Sequence, residues 1–221
     1  KRLGGERGEM SNGEELKWYE VKLDNTLKQV RIIVLSDVHY GNPYCSLKHF
    51  HKTLKLILDS PDMFCILNGD LCESAIKTSK GDIFRQVGTP QDQRDRMIEW
   101  LYPIREKICG QTTGNHEHRI YTETGIDISS DIAQTLGVRY RAEGIALKIM
   151  FGGGNGWHPE APWVYWGYAT HGYGGARTKA AKAVKVERLS AWLHDDWYAM
   201  SHDHVVNVAP DIYLMPDNRG T

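Results

Sequence analysis

The sequence predicts an α/β fold. Short apolar runs end abruptly in acids, amides or histidines, at residues 30–35, 63–67 and 108–113. Between the first two, apolar residues recur at helical spacing, and the resulting strand-helix-strand order implies parallel strands joined by a right-handed crossover. The organising stretch is Val34-Leu-Ser-Asp37-Val-His39-Tyr-Gly41. A strand buried on both faces reads as a continuous apolar run, and the loop at its C-terminal end is where such a sheet carries a site.

Taken in order, residues 1–15 hold Gly, Glu, Lys and Arg with little to bury, and predict a mobile N-terminal arm. Residues 16–221 show no linker or repeat and read as a single domain. Residues 16–23 alternate loosely, Asp24-Asn25 signals a turn, and 26–35 reads as a strand, which predicts a hairpin. Leu47, Phe50, Leu54, Ile57 and Leu58 mark a helix between Ser46 as N-cap and Pro61 as stop, with His51 on its apolar face as a core histidine. Residues 63–68 are the second strand. Residues 72–90 are polar, with Gly81, Gly88 and Pro90, and read as a long loop or a short lid.

Met97, Leu101, Ile104 and Ile108 give helical spacing over 91–107, and 108–113 is the third strand. Two short helices fit 120–137, stopping at Gly137, before a brief strand at 138–141. Residues 145–151 and 163–170 predict a hairpin in a second sheet layer, with Trp157, Trp163 and Trp166 near its edge. Residues 178–194 are the last helix, striped by Val186, Leu189 and Leu193. Its Lys179, Lys182 and Lys185, with Arg177 just before, make either a solvated face or a cationic approach for phosphate. A strand at 197–200 precedes His202 and His204, and 205–214 reads as another strand. The start at Lys1 and the end at Thr221 without a closing helix read as a piece of a longer protein.

With 27 Lys and Arg against 28 Asp and Glu, the charge balance removes the composition argument for a generally nucleic-acid-binding surface and leaves a local basic patch open. No apolar run is long enough to span a bilayer and no signal-peptide pattern opens the chain. The four cysteines show no Cys-x-x-Cys spacing. Cys65 and Cys109 lie in apolar runs, and Cys72 reads as packing beside the Asp70 loop, so the expected compartment is the reducing cytoplasm.

The strand ends supply Asp37, His39, Asp70, Asn115, His171, His202 and His204. Seven side chains are too many for one cation but suit two that share a carboxylate, which at Asp70 would bridge ions roughly 3.5 Å apart. The mixture of imidazole and oxygen disfavours calcium and fits manganese, iron, zinc, nickel or cobalt. Glycines 41, 69, 114 and 172 allow tight turns beside these ligands.

The set Asp37-x-His39, Gly69-Asp70, Gly114-Asn115-His116-Glu117, His171-Gly172 and His202-x-His204 resembles the motifs of the calcineurin-like metallophosphoesterase family, in the family's order. The resemblance implies a four-layer α/β/β/α sandwich with metals at the strand C-termini. It implies a first metal on Asp37, His39, Asp70 and His204, and a second on Asp70, Asn115, His171 and His202. It further implies phosphoester hydrolysis by a hydroxide bridging two divalent cations, most simply Mn2+. His116 would act over the substrate, oriented by Glu117 or another carboxylate. Asp70 and His116 are thus the expected catalytic groups. Asn115, His116, Arg119 and Arg177 are candidate substrate contacts, with His118 and Lys179 as further sources of charge.

Two departures stand out. The arginine that follows Gly-Asp in protein Ser/Thr phosphatases is missing from Gly69-Asp70-Leu-Cys-Glu-Ser74, which argues against a protein phosphatase. Ser201 stands where the family usually has glycine, a change expected to act only locally. The expected substrate is a phosphodiester, in a nucleic acid or a nucleotide. The alternatives are a small phosphomonoester or a metal-binding module without activity.

Overall fold

Residues 17–79, 83–154, 160–175 and 178–210 are described by the computed structural model of the chain. The N-terminal arm, Trp157 and Arg177 lie outside the described residues. The fold is mixed α/β with two sheets and five α-helices.

The first sheet is parallel, in the order β2 (Arg31–Leu35), β3 (Met63–Asn68), β4 (Ile108–Thr112). Every residue of β3 and β4 is buried, the apolar run 63–67 and also the polar Asn68, Gln111 and Thr112 at the strand ends. One face of this sheet, through Leu35, Met63, Cys65 and Leu67, meets the helices α1 (Leu47–Asp59), α2 (Pro90–Leu101), α3 (Asn115–Thr124) and α4 (Ile128–Leu136). The other face, through Phe64, Ile66 and Cys109, meets the second sheet in a separate apolar cluster.

That second sheet runs β1 (Trp18–Lys22), β5 (Ile145–Phe151), β6 (Trp163–Thr170), β7 (Trp197–Met200). β5 and β6 form the expected antiparallel hairpin, with Ile145 opposite Ala169. The outer half of β6, including Trp163 and Trp166, is exposed. Helix α5 (Lys179–Ser190) lies against β7 and buries none of its residues. No helix among the described residues is long and apolar enough to cross a membrane.

Several expectations about elements are corrected. Residues 16–35 form no hairpin: β1 pairs with β5 in parallel, because Tyr19 and Val21 are needed in the cluster between the sheets, and β2 joins the other sheet. The Asp24 carboxylate instead closes a local turn by accepting the Thr26 amide at 2.7 Å. His51 is exposed, standing edge-on to Trp100. Pro90 opens a helix rather than closing a loop, since Thr89 and Asp92 make a reciprocal capping box around it. The third helix starts at Asn115, five residues before its apolar spacing becomes visible. Residues 138–141 make one isolated bridge, Gln111 to Tyr140. Of the strand expected over 205–214, residues 205–210 carry none, and 211–214 lie outside the described residues. All four cysteines are free, and burial pushes the Cys109 thiol up to about 12.

Candidate metal centre

Each expected ligand sits where a strand stops. Asp37 and His39 follow β2, Asp70 follows β3, Asn115 follows β4 at the first turn of α3, His171 follows β6, and His202 and His204 follow β7. The two sheets face each other, so all these ends open on one pocket. The loops are bonded together by their backbones: the Asp37 amide donates to Gly69 (3.2 Å), the His39 amide to Asp70 (3.0 Å) and the Tyr40 amide to Leu71 (2.9 Å). Gly69 and Gly114 lie so close that a Cβ on Gly114 would stand 2.1 Å from the Asp70 nitrogen, so neither loop tolerates a side chain there.

Backbone strain marks the same residues. Six non-glycine residues among those described have positive φ, and five of them are Asp37, His39, Asp70, His202 and His204, with φ between 50° and 70°. Such conformations cost roughly 1–3 kcal/mol each and persist where the surroundings enforce them, most often at functional sites.

The side chains converge in three groups around Asp70, one of them His39, Asp70 and His116, whose ligand atoms lie within 4.8 Å of one another. Ligand atoms of Asp37, His39 and His204 lie within 4.8 Å of one another, as do those of Asp70, His171 and His202. Asp70 Oδ2 is 3.1 Å from His171 Nε2 and 3.8 Å from His39 Nε2, which places it between the groups. The Asn115 amide oxygen is 2.7 Å from His202 Nδ1 and 3.2 Å from His171 Nε2. His39 Nε2 and His204 Nε2 face each other at 3.4 Å, and His204 Nε2 is 3.3 Å from Asp37 Oδ1.

The donor set fits divalent cations. His171 Nδ1 is 2.7 Å from the Asn68 carbonyl and His202 Nε2 is 3.0 Å from the Gly174 carbonyl, so each outer nitrogen has an acceptor and the inner one keeps its lone pair for the pocket. His39 Nδ1 lies 3.4 Å from Glu73 Oε2, an ion-pair contact without hydrogen-bond geometry. Asp37 Oδ1 is buried and has no hydrogen-bond partner among the described residues. A buried carboxylate oxygen left bare, against nitrogen lone pairs turned inward, is what a cation would satisfy.

The charges are consistent with this. For His39, burial opposes protonation, yet Glu73, Asp70 and Asp37 together raise its pKa. For His171, burial is likewise outweighed by Asp70. Burial would raise the Asp70 pKa, but the histidines around it hold it low. His116 is different: burial lowers its pKa, His39 and Arg119 add to that, and Asp70 opposes.

Two residues matter that the motifs do not single out, Asn68 and Glu73, and a third, Glu117, has a role other than the expected one. Asn68, fully buried, donates to the Thr170 carbonyl and the Ser201 hydroxyl, both at 2.7 Å, and accepts from Thr112 (3.0 Å). Ser201 therefore has a partner that a glycine would lack. Glu73 stands 3.5 Å from His116 Nδ1, and its carbonyl is 2.9 Å from the same atom. Glu117, buried, accepts the backbone amides of Asp70 (3.0 Å) and Cys72 (2.8 Å), so it shapes the Asp70 loop while Glu73 is the carboxylate beside His116. The signals were an amide ending an apolar run and an acid three residues after Asp70.

Of the candidate phosphate contacts, Arg119 donates to Ser79 Oγ at 2.6 Å and is near enough to His116 to influence its titration. His118 is exposed beside Tyr121. Lys182 and Lys185 are not a free cationic face: both bond the loops of the pocket. No family model matches the chain, and no curated protein matches it.

Proposed function

We propose that this chain is a two-metal phosphoesterase of the calcineurin-like metallophosphoesterase type, acting on phosphodiesters such as those of nucleic acids or nucleotides. The observation that carries this reading is the convergence of seven ligand side chains from five loops, five of them on residues in left-handed backbone. In this reading α5 begins a second helical layer, and the full architecture is the four-layer α/β/β/α sandwich.

Asp37, His39, Asp70 and His204 would hold one cation, and Asp70, Asn115, His171 and His202 the other. Bound there, two such cations, Mn2+ or a similar ion, supply charge neutralisation for phosphoryl oxygens and lower the pKa of a shared water. The chain's own groups do the rest. Asp70 offers its carboxylate to both sites. Asn115 would ligate through a neutral amide and so would add no negative charge where an anionic substrate must bind. Glu73 fixes the Nδ1 side of His116, which leaves Nε2, 4.0 Å from Asp70 Oδ2, toward the pocket. From there His116 binds a phosphoryl oxygen or delivers a proton to the leaving alkoxide. The cationic side chains beside the pocket are few among the described residues, since Lys182 and Lys185 are engaged elsewhere. A diester, with one negative charge, needs fewer of them than a dianionic monoester.

The test is hydrolysis of bis-p-nitrophenyl phosphate and p-nitrophenyl phosphate by the Mn2+-loaded protein and its His116→Ala variant. Turnover of the diester, lost by about 10²–10⁴ in the variant with both ions retained, supports the reading. Turnover of the monoester alone makes it a phosphomonoesterase. Two bound ions with no turnover of either make it a metal-binding module.

A further inference from the structure

Helix α5 buries no residue, and its apolar side chains at Ala183, Val186 and Leu189 are only half-buried. Its attachment is polar. Lys182 Nζ donates to the Asp203 carbonyl at 2.8 Å. Lys185 Nζ donates to the Tyr173 carbonyl at 2.9 Å, the Gly174 carbonyl at 3.4 Å and Asp203 Oδ2 at 2.9 Å. The Lys185 and Asp203 side chains are only 20% and 14% exposed.

These acceptors belong to the pocket. Tyr173 and Gly174 follow His171, and Asp203 separates His202 from His204. One ammonium thus ties the loop of one histidine ligand to the loop of the other two. The Gly174 carbonyl is shared: it also lies 3.0 Å from His202 Nε2. An ammonium has three N–H donors, and all three of Lys185's are taken by these acceptors. Its charge is matched by Asp203, so it neither points at an incoming phosphate nor stands unpaired beside bound cations.

We propose that Lys185, supported by Lys182, is a positioning residue for His171, His202 and His204, and that docking of α5 is coupled through it to cation binding. This rests on the metal-centre reading above. Linkage makes the coupling reciprocal: whatever affinity the docked helix adds to the cation, the cation returns as protection of the helix. Positioning groups behind metal ligands are typically worth 10–100-fold in metal affinity.

The test is Mn2+ titration of the full chain, by calorimetry and by the electron paramagnetic resonance of free Mn2+, for wild type, Lys185→Gln and Lys179→Gln. Lys179→Gln removes the same charge from the exposed start of the same helix. The expected result is a loss of about 10–100-fold in affinity for at least one ion in Lys185→Gln and none in Lys179→Gln. Hydrogen exchange on wild type needs no variant: Mn2+ should slow exchange across 178–190 and leave 47–59 unchanged. Wild-type affinity in Lys185→Gln, or exchange across 178–190 indifferent to bound Mn2+, overturns the proposal alone. A wild-type chain that takes up no Mn2+ overturns this proposal and the metal centre together.

Discussion

The two sides of the pocket are built differently. Asp37, His39, Asp70 and Asn115 end a sheet whose strands β3 and β4 are buried at every residue, and the loops of Asp37, His39 and Asp70 are joined by backbone hydrogen bonds. His171, His202 and His204 end β6 and β7, where β7 is half-buried throughout, α5 buries nothing, and the His204 side chain is 58% exposed. The first side is held in place by packing. The second is held by the Asn68 side chain, by Lys182 and Lys185, and by the Ser201 amide donating to the His171 carbonyl (3.2 Å). If the proposed cations bind, such a site has one preorganised wall and one that the cations complete, and low local stability concentrates at such binding loops.

The largest expected effect comes from Asp70, which belongs to the packed side and touches the other. In Asp70→Asn the backbone can keep its bond from the His116 amide to Oδ1, 2.8 Å, while the shared negative charge is gone. Both ions should weaken, and diester hydrolysis should fall by roughly 10³, the scale of several kcal/mol of charge stabilisation. Metal content and kcat measure this together. A variant that keeps both ions at wild-type affinity would mean that the two sides bind independently.

Asn68→Ala sharpens the comparison at the seam. The substitution leaves the Thr170 carbonyl, the Ser201 hydroxyl and the Thr112 hydroxyl without their bonds to this side chain. Losing partners in a buried setting costs about 1–3 kcal/mol per group, and about 2–4 °C in Tm accompanies each kcal/mol in a chain of this size. Thermal unfolding without metal should show the drop. If the seam joins the two sides as argued, added Mn2+ recovers part of it by binding the native state. Equal destabilisation with and without Mn2+ would detach Asn68 from the site.

The same contrast explains what could be read from the sequence. β3, β5, β6 and β7 were legible to the residue because their apolar runs are bounded by turns or polar residues, and the candidate ligands announced themselves as polar breaks in those runs. β1 was misassigned because pairing partners are a long-range choice: residue 19 finds 147, and no local pattern says so. The roles of Asn68 and Glu73 were hidden for the same reason, since a buried amide or acid is defined by what it faces across the fold. The lysines of α5 looked like a surface because helical spacing reports the helix, and their acceptors lie in two other loops.

The smallest expected effect lies at the far end of the packed side and tests its rigidity. Arg31 and Asp62 join the starts of β2 and β3, with Nη2 to Oδ1 at 2.5 Å and Nε to Oδ2 at 3.1 Å, and Gln29 adds a bond of 2.7 Å. The Arg31 guanidinium holds the Asp62 carboxyl below its ordinary range. A depressed carboxylate pKa means that the native state binds its proton less readily than the unfolded chain. The pair's contribution is therefore complete above the unfolded value of about 3.9 and is lost as pH falls through the native titration. Asp62→Asn should lower the urea midpoint slightly at pH 7, and the two proteins should converge in acid. Because β2 and β3 are stiffened by both apolar clusters between this pair and Asp37, the substitution should leave Mn2+ affinity unchanged. A shifted affinity would show that strain at the base of the sheet reaches the ligands, and the packed wall would then be as pliable as the one opposite.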